Sequence, residues 1–157
     1  MTTQTRPVNA IECGTVIDHI QTGQGLKVIQ LLNGSDQSQQ MTLGLNFKSE
    51  AYTRKDLIKI EERVLTYEEA SYIAILSPHV TVSIIRDYQI ARKFKPKAPD
   101  FVRGTFSCSN PNCITKTEDI LHAFYVSSLY EQTKLTCKYC EKTFSQQSIL
   151  LKYDPIS

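Results

Sequence analysis

Cys108-Ser109-Asn110-Pro111-Asn112-Cys113 and Cys137-Lys138-Tyr139-Cys140 are the stretches whose reading decides the fold. Four residues lie between the first two thiols and two between the second, and twenty-three residues separate the pairs. Two short-spaced cysteine pairs joined by a long loop are what tetrahedral zinc requires, since each pair forms a tight knuckle and the loop lets the knuckles face each other. The chain holds five cysteines, so only Cys13 lies outside this frame. The rival readings are two disulfides or four unrelated buried thiols. Disulfides suit an exported chain, whereas Met1–Asn9 is polar and has no signal-like apolar core, so the expected compartment is the cytoplasm. Four thiolates fill the coordination sphere and leave no position open for water or substrate, which makes the metal structural. His122 is accordingly expected outside that sphere, at or near the surface. From Phe101 onward the chain has fewer than sixty residues, too few for a generous core. Metal binding can contribute on the order of 10 kcal/mol of apparent folding free energy to such a domain.

Composition sets wide bounds. The 157 residues are 41% hydrophobic and 22% charged, as in an ordinary globular protein, and allow one domain or two small ones. A formal net charge of +2 is too small to argue for a nucleic-acid partner. No apolar run approaches the roughly 18 residues of a membrane span.

Working outward from the cysteine frame, Ala91-Arg92-Lys93-Phe94-Lys95-Pro96-Lys97-Ala98-Pro99 is basic, carries two prolines and lacks periodicity, so it reads as an interdomain linker. It divides the chain into an N-terminal domain with its linker, residues 1–97, and a C-terminal metal-binding domain, residues 98–157. In the front half, the β-branched run Ala10–Ile20 predicts a strand, with Gly14 allowing a kink or bulge. Val28, Leu31 and Leu32 have helical spacing, and Asn33-Gly34 is a stop signal. Met41–Phe47 alternates as a strand does, and Lys55–Glu62 is another strand with Leu57 or Ile58 toward the core. Thr66 caps a second helix with Glu68 and Glu69 in its first turn, Ala70, Ile73, Ala74 and Leu76 form its apolar stripe, and Pro78 ends it. Val80–Ile90 supplies a further strand. The order βαββαβ predicts an α+β, ferredoxin-like domain with both helices on one face of a mainly antiparallel sheet. The other face then meets water or a second subunit. In the back half, Ala123–Val126 and Leu135-Thr136 predict strands around the metal, and Phe144 and Ile149–Leu151 close a small all-β domain.

Catalytic signatures are missing from the sequence: it has no phosphate-cradling P-loop, no G-x-S-x-G and no H-E-x-x-H. Cys13 and His19 fall six residues apart on one predicted strand, about 20 Å when extended and out of hydrogen-bond reach. No enzyme is expected. Asp18, His19, Lys59, Tyr88 and Lys93 fall on or beside adjacent strands of the expected sheet. Lysines there would neutralise phosphates, an aspartate would take a sugar hydroxyl or a base amino group, and Ile11 and Val16 would flank a base ring. The bland reading, a solvated lysine face with a core tyrosine, is favoured by pattern alone.

Four blocks change that balance. Ala10-Ile11 with Gly14-Thr15-Val16-Ile17-Asp18-His19-Ile20, then Arg54-Lys55-Asp56-Leu57-Ile58-Lys59-Ile60-Glu61, Asn110-Pro111-Asn112-Cys113-Ile114 and Cys137-Lys138-Tyr139-Cys140-Glu141-Lys142 resemble, in order and across nearly the whole chain, the regulatory chain of aspartate carbamoyltransferase. The resemblance implies a non-catalytic subunit of pyrimidine biosynthesis. Its front domain would bind nucleotide effectors, CTP and UTP inhibiting and ATP activating, and its zinc domain (one structural Zn2+ on Cys108, Cys113, Cys137 and Cys140) would attach to the catalytic chain. It further implies regulatory homodimers bridging two catalytic trimers into a dodecamer of catalytic and regulatory chains in equal number, with no nucleic acid and no membrane. Carried over by position, the nucleotide contacts are Ala10, Ile11, Val16, Asp18, His19, Lys59, Tyr88, Ile90 and Lys93, with Lys59 and Lys93 toward the triphosphate and Ile11 and Tyr88 toward base and ribose. Asn110, Asn112 and Glu141 match positions near the catalytic-chain interface. Asn9, Cys13 and Ser83 stand where the family often has a glutamate, a basic residue and an asparagine, and these departures bear on effector preference. The rival from another class is a zinc-ribbon nucleic-acid binder, suggested by the basic linker and Phe94.

Overall fold

The computed structural model describes residues 10–33, 38–48, 54–130 and 132–152. In the front half the order is β1 (Gly14–Ile20), α1 (Gly25–Asn33), β2 (Met41–Phe47), β3 (Lys55–Glu61), α2 (Tyr67–Leu76), β4 (Thr81–Arg86) and β5 (Gln89–Phe94). The strands form one antiparallel sheet in the order β2-β3-β1-β4-β5. Its first four strands are the expected ferredoxin-like arrangement, and β5 adds an edge.

Alternation within β3 explains how the sheet divides its two faces. Asp56, Ile58 and Ile60 are buried, while Lys55, Leu57, Lys59 and Glu61 are only half-buried. Ile58 pairs with Ile17 of β1, which pairs with Val82 of β4. Ile17, Ile58 and Ile60 share one core cluster with Val28 and Leu32 of α1 and Ile73 of α2. Val82 and Ile84 pack with Ala70 of α2. Both helices therefore cover this face, and the alternate residues point to the other.

Helix α2 starts where its cap residue dictates: the Glu69 amide donates to Thr66 Oγ1 at 3.2 Å. Replacing Thr66 by alanine is expected to cost about 1 kcal/mol, read as a lower urea midpoint with an unchanged slope.

Three expectations are corrected. Residues 10–13 are not strand, and β1 begins at Gly14, whose φ of 143° and closeness to β3 exclude a side chain, because an added Cβ would collide with the Ile60 carbonyl oxygen. The irregularity expected at Gly14 lies instead between Ile17 and Ile20, where the β1–β3 register shifts. There His19 has φ 58° and its amide donates to Asp18 Oδ1 at 2.7 Å, an aspartate side chain supplying the turn that the sheet ladder gives up. Second, the single strand expected over Val80–Ile90 is a hairpin. Asp87 and Tyr88 have φ of 50° and 63°, the left-handed pair of a two-residue hairpin turn, without the Asn-Gly signal that usually announces it. Third, the linker is shorter than composition suggests. Val82 pairs with Phe94 and Ser83 with Lys93, so 91–94 belong to β5. An exposed edge strand draws its order from main-chain hydrogen bonds and needs no apolar alternation, and cations on it discourage further pairing.

The back half holds β6 (Phe101–Arg103), β7 (Phe106–Ser107), a 3-10 turn at Ile114–Lys116, β8 (Ala123–Leu129), β9 (Gln132–Cys137), β10 (Thr143–Ser145) and β11 (Leu150–Leu151). They form a four-stranded sheet, β10-β9-β8-β6, and a two-stranded one, β11-β7. Val102, Phe106, Phe124, Leu135 and Ile149 are buried in the same contiguous cluster as the front-half core. No helix among the described residues is long and apolar enough to cross a membrane.

Candidate metal centre and effector face

The four cysteines of the frame converge. Their Sγ atoms lie within 4.8 Å of one another, and the thiols of Cys108, Cys113 and Cys137 are buried while Cys140 is half-buried. Cys108 and Cys140 are 3.7 Å apart, Cys113 and Cys137 3.8 Å. These are far longer than a disulfide bond. They match the edge of a thiolate tetrahedron with metal–sulfur bonds near 2.3 Å, about 3.8 Å. The donor set is closed and fits a soft tetrahedral cation such as zinc.

Local folding places each thiol. The Cys113 amide donates to the Asn110 carbonyl at 3.1 Å, closing the first knuckle, and the Asn112 amide donates to Asn110 Oδ1 at 3.1 Å. The second knuckle closes through the Glu141 amide on the Cys137 carbonyl at 3.0 Å, with Glu141 left-handed at φ 62°. Thr115 donates its hydroxyl to Cys113 Sγ at 3.1 Å. Burial is the largest influence on the Cys108 and Cys137 thiols and pushes both up, against backbone hydrogen bonds that act downward and with neighbouring thiols adding to the rise. Burial acts upward on Cys140 too, yet hydrogen bonding from the Asn110 side chain, the Lys142 backbone and the Cys108 and Cys137 thiols brings it down to about 7. A bound cation would favour the thiolate at all four. His122 is half-buried and outside the cluster, as expected. Its Nδ1 accepts the Cys108 amide at 2.8 Å, and burial, then the charges of Lys116 and Lys152, pull its pKa below the usual histidine value.

The second cluster of expected site residues meets on the helix-free face. Lys59 pairs with Val16, Val16 with Ser83 and Ser83 with Lys93, one row across four strands. Cross-strand partners share a face, so both lysines flank Val16 and Ser83 on the side away from the helices. Asp18 pairs with Thr81 and Ile90 with Ile85 on that same side. Asp18 Oδ1 is 2.8 Å from Lys55 Nζ. His19 sits in the β1 bulge. Tyr88, 65% exposed, occupies the hairpin tip, and its amide donates to the Glu12 carbonyl at 3.0 Å, which draws the segment carrying exposed Ala10 and buried Ile11 against the hairpin. His19 and Tyr88 both have left-handed backbone, His19 in the bulge and Tyr88 in the hairpin turn. Cys13 is exposed, and Asn9 lies outside the described residues.

Comparison with known proteins covers both halves of the chain. The family described as aspartate carbamoyltransferase regulatory chain, allosteric domain, matches residues 6–97, and the same chain's metal binding domain matches residues 100–150. The chain belongs to this family of regulatory chains. Relatives of that name include those of Chromobacterium violaceum, 43% identical over 92% of this chain and 95% of that protein, and Pyrococcus abyssi, 46% identical over 91% and 95%. The regulatory chain of Pyrococcus furiosus is 45% identical over 91% and 95%. As a regulatory chain it is a non-catalytic subunit with an allosteric and a metal-binding domain, and the nucleic-acid alternative is not favoured. Of the basic residues that suggested that alternative, Arg92 and Lys93 belong to β5, and the Arg92 guanidinium lies 5.0 Å from the centre of the Phe94 ring.

Among the residues expected near the catalytic-chain interface of this regulatory chain, Asn112 and Glu141 are exposed, whereas Asn110 is 7% exposed and engaged inside the knuckle. Sequence reasoning overlooked Asp56. Its fully buried carboxylate accepts amides from Gly23 at 3.1 Å, Gly25 at 3.0 Å and Asn46 at 2.9 Å. The signal was present, since Asp56 falls on the same alternation as Ile58 and Ile60, and an acid in an apolar row must have partners. Gln146, 1% exposed with its Oε1 accepting the Thr133 amide at 2.6 Å, gave no comparable signal.

Proposed function

We propose that this regulatory chain senses nucleoside triphosphates on the helix-free face of its front domain and passes the result to catalytic chains bound at its metal domain. The observation that carries the reading is the row Lys59, Val16, Ser83, Lys93: two cations flank a small buried hydroxyl and a half-buried apolar residue on one face of the sheet. Lys59 and Lys93 hold phosphate charge, Asp18 and His19 take ribose or base polar groups, and Ala10, Ile11, Val16, Tyr88 and Ile90 frame the base. CTP and UTP act as inhibitors and ATP as activator. Zn2+, one per chain on Cys108, Cys113, Cys137 and Cys140, holds the docking domain together and has no chemical step to perform. The domain division at 97/98 is supported by the end of β5 at Phe94 and the start of β6 at Phe101. Asn110 acts by shaping the knuckle, while Asn112 and Glu141 contact the catalytic chain. Regulatory homodimers join two catalytic trimers into a cytoplasmic dodecamer of pyrimidine biosynthesis.

An effector shifts such an assembly only through different affinity for its two quaternary states, with couplings of about 1–3 kcal/mol. Lys59→Ala, assayed in the assembled enzyme against aspartate, is expected to weaken CTP and ATP binding by about 10- to 100-fold, the equivalent of one hydrogen bond to a charged group. Both nucleotide responses shift to correspondingly higher nucleotide concentrations, and zinc content stays unchanged. Undiminished CTP inhibition in that variant would refute the assignment.

A further inference from the structure

The two halves are joined by more than the chain that runs between them. Lys27, near the start of α1, sends its ammonium into the turn that precedes β11. Its Nζ lies 2.8 Å from the Gln147 carbonyl, 2.8 Å from the Ile149 carbonyl and 3.5 Å from the Gln146 carbonyl. An ammonium carries three N–H donors, and three main-chain acceptors of one turn stand around it. Beside this contact, Gln146 Nε2 donates to Gln21 Oε1 at 3.3 Å. The same Gln146 side chain accepts the Thr133 amide, so it also grips β9, the strand that ends in Cys137.

The segment 21–27 is held equally firmly from the other side. Asp56 of β3 binds the Gly23 and Gly25 amides, and Gly25 has no room for a side chain because an added Cβ would lie 2.9 Å from Asp56 Oδ2. Asp56 follows Lys55, the partner of Asp18 on the helix-free face, and precedes Lys59 on the same strand. The path from the lysine row to the cysteine strand is thus a run of direct contacts: β3, the Gln21–Lys27 segment, the Gln146–Ile149 turn, then β9.

We propose that Lys27 is the positioning residue through which nucleotide occupancy is transmitted to the metal domain, by fixing the Gln146–Ile149 turn to the start of α1. This rests on the nucleotide-sensing reading above and assigns its route. Lys27 touches neither nucleotide nor metal ligand, and its effect is on how movement of β3 is delivered. Lys27→Met keeps the aliphatic stem and removes only the ammonium, and Lys27→Arg restores a cation with several donors.

The test uses the assembled enzyme, with CTP and ATP as probes. Direct binding of each nucleotide, zinc content, and the ratio of activities with and without nucleotide are measured for native, K27M, K27R and Q21A proteins. In K27M, nucleotide affinity stays within threefold of native and zinc content is unchanged, while the activity ratio moves to about one with either nucleotide, falling with ATP and rising with CTP. K27R recovers most of the native departure of the ratio from one, and Q21A, which removes the flanking contact without touching the ammonium, reduces that departure partially. A native-like ratio in K27M overturns the proposal. So does a K27M loss of nucleotide affinity or zinc in parallel with the ratio, since that marks Lys27 as general support. If K27M does not fold, a native ratio in Q21A overturns the proposal. A native enzyme that binds neither nucleotide removes the sensing reading itself, and this proposal with it.

Discussion

Stripping the metal from the intact chain is expected to turn one reactive thiol into five. With metal bound, only Cys13 is open to a thiol reagent, because Cys108, Cys113 and Cys137 are buried and Cys140 is drawn into the same cluster. Without metal, burial and mutual contact favour protonated Cys108 and Cys137, and four sulfurs crowd a space that no longer has a cation at its centre. The back half has little to replace that bond energy. Its second sheet is short, with β7 and β11 only two residues each, and the residues between the paired cysteines, 109–112 and 138–139, are not strand. A loss on the order of 10 kcal/mol exceeds what such a domain holds in reserve. Chelation should therefore abolish strand signal from residues 101–151 in circular dichroism and hydrogen exchange, while β1 to β5 keep theirs. Re-addition of zinc should reverse both effects. Unchanged spectra together with a single reactive thiol, after metal analysis shows complete removal, would contradict the structural role.

The second large effect is expected at Asp56. Replacing it by alanine deprives the amides of Gly23, Gly25 and Asn46 of their acceptor in one step. Gly23 and Asn46 are exposed enough for water to substitute, but the Gly25 amide is buried. A buried donor left unsatisfied costs about 1–3 kcal/mol, and the vacated space adds to it, so a loss of about 3 kcal/mol is expected for Asp56→Ala. Asp56→Asn keeps one acceptor oxygen and should recover part of the loss. Urea unfolding of the metal-loaded chain measures both. An alanine variant within about 0.5 kcal/mol of native would show that Asp56 is not the clasp that its geometry describes.

The parts of the molecule legible in its sequence are those fixed by local chemistry. Paired cysteine spacing located the metal cluster because few other arrangements use that spacing, and Thr66 with the acids after it marked the start of α2. Alternation located β2 and β3 with nearly their observed bounds. Features decided by contacts far along the chain were not legible. The Asp87-Tyr88 turn lacks the glycine that usually marks a two-residue hairpin, and it forms because β4 and β5 pair around it. β5 reads as linker because an edge strand is held by its backbone. Lys27 looks like any surface lysine of an amphipathic helix, and only the folded chain brings it to carbonyls 119 to 122 positions away. The site residues divide the same way. Lys59 and Lys93 were named from the sequence, but their shared row depends on Val16 and Ser83 being stacked between them by three separate pairings.

That row has a consequence for how such chains diversify. Ser83 lies between Val82 and Ile84, yet its side chain belongs to the opposite surface, so exchanging it leaves the packing of its neighbours untouched. On the proposed reading, responsiveness and foldability are thereby written on alternate letters of the same strands. Transplanting residues 16, 59, 83 and 93 as a set from one relative into another should carry the donor's nucleotide preference across without repacking the recipient's core.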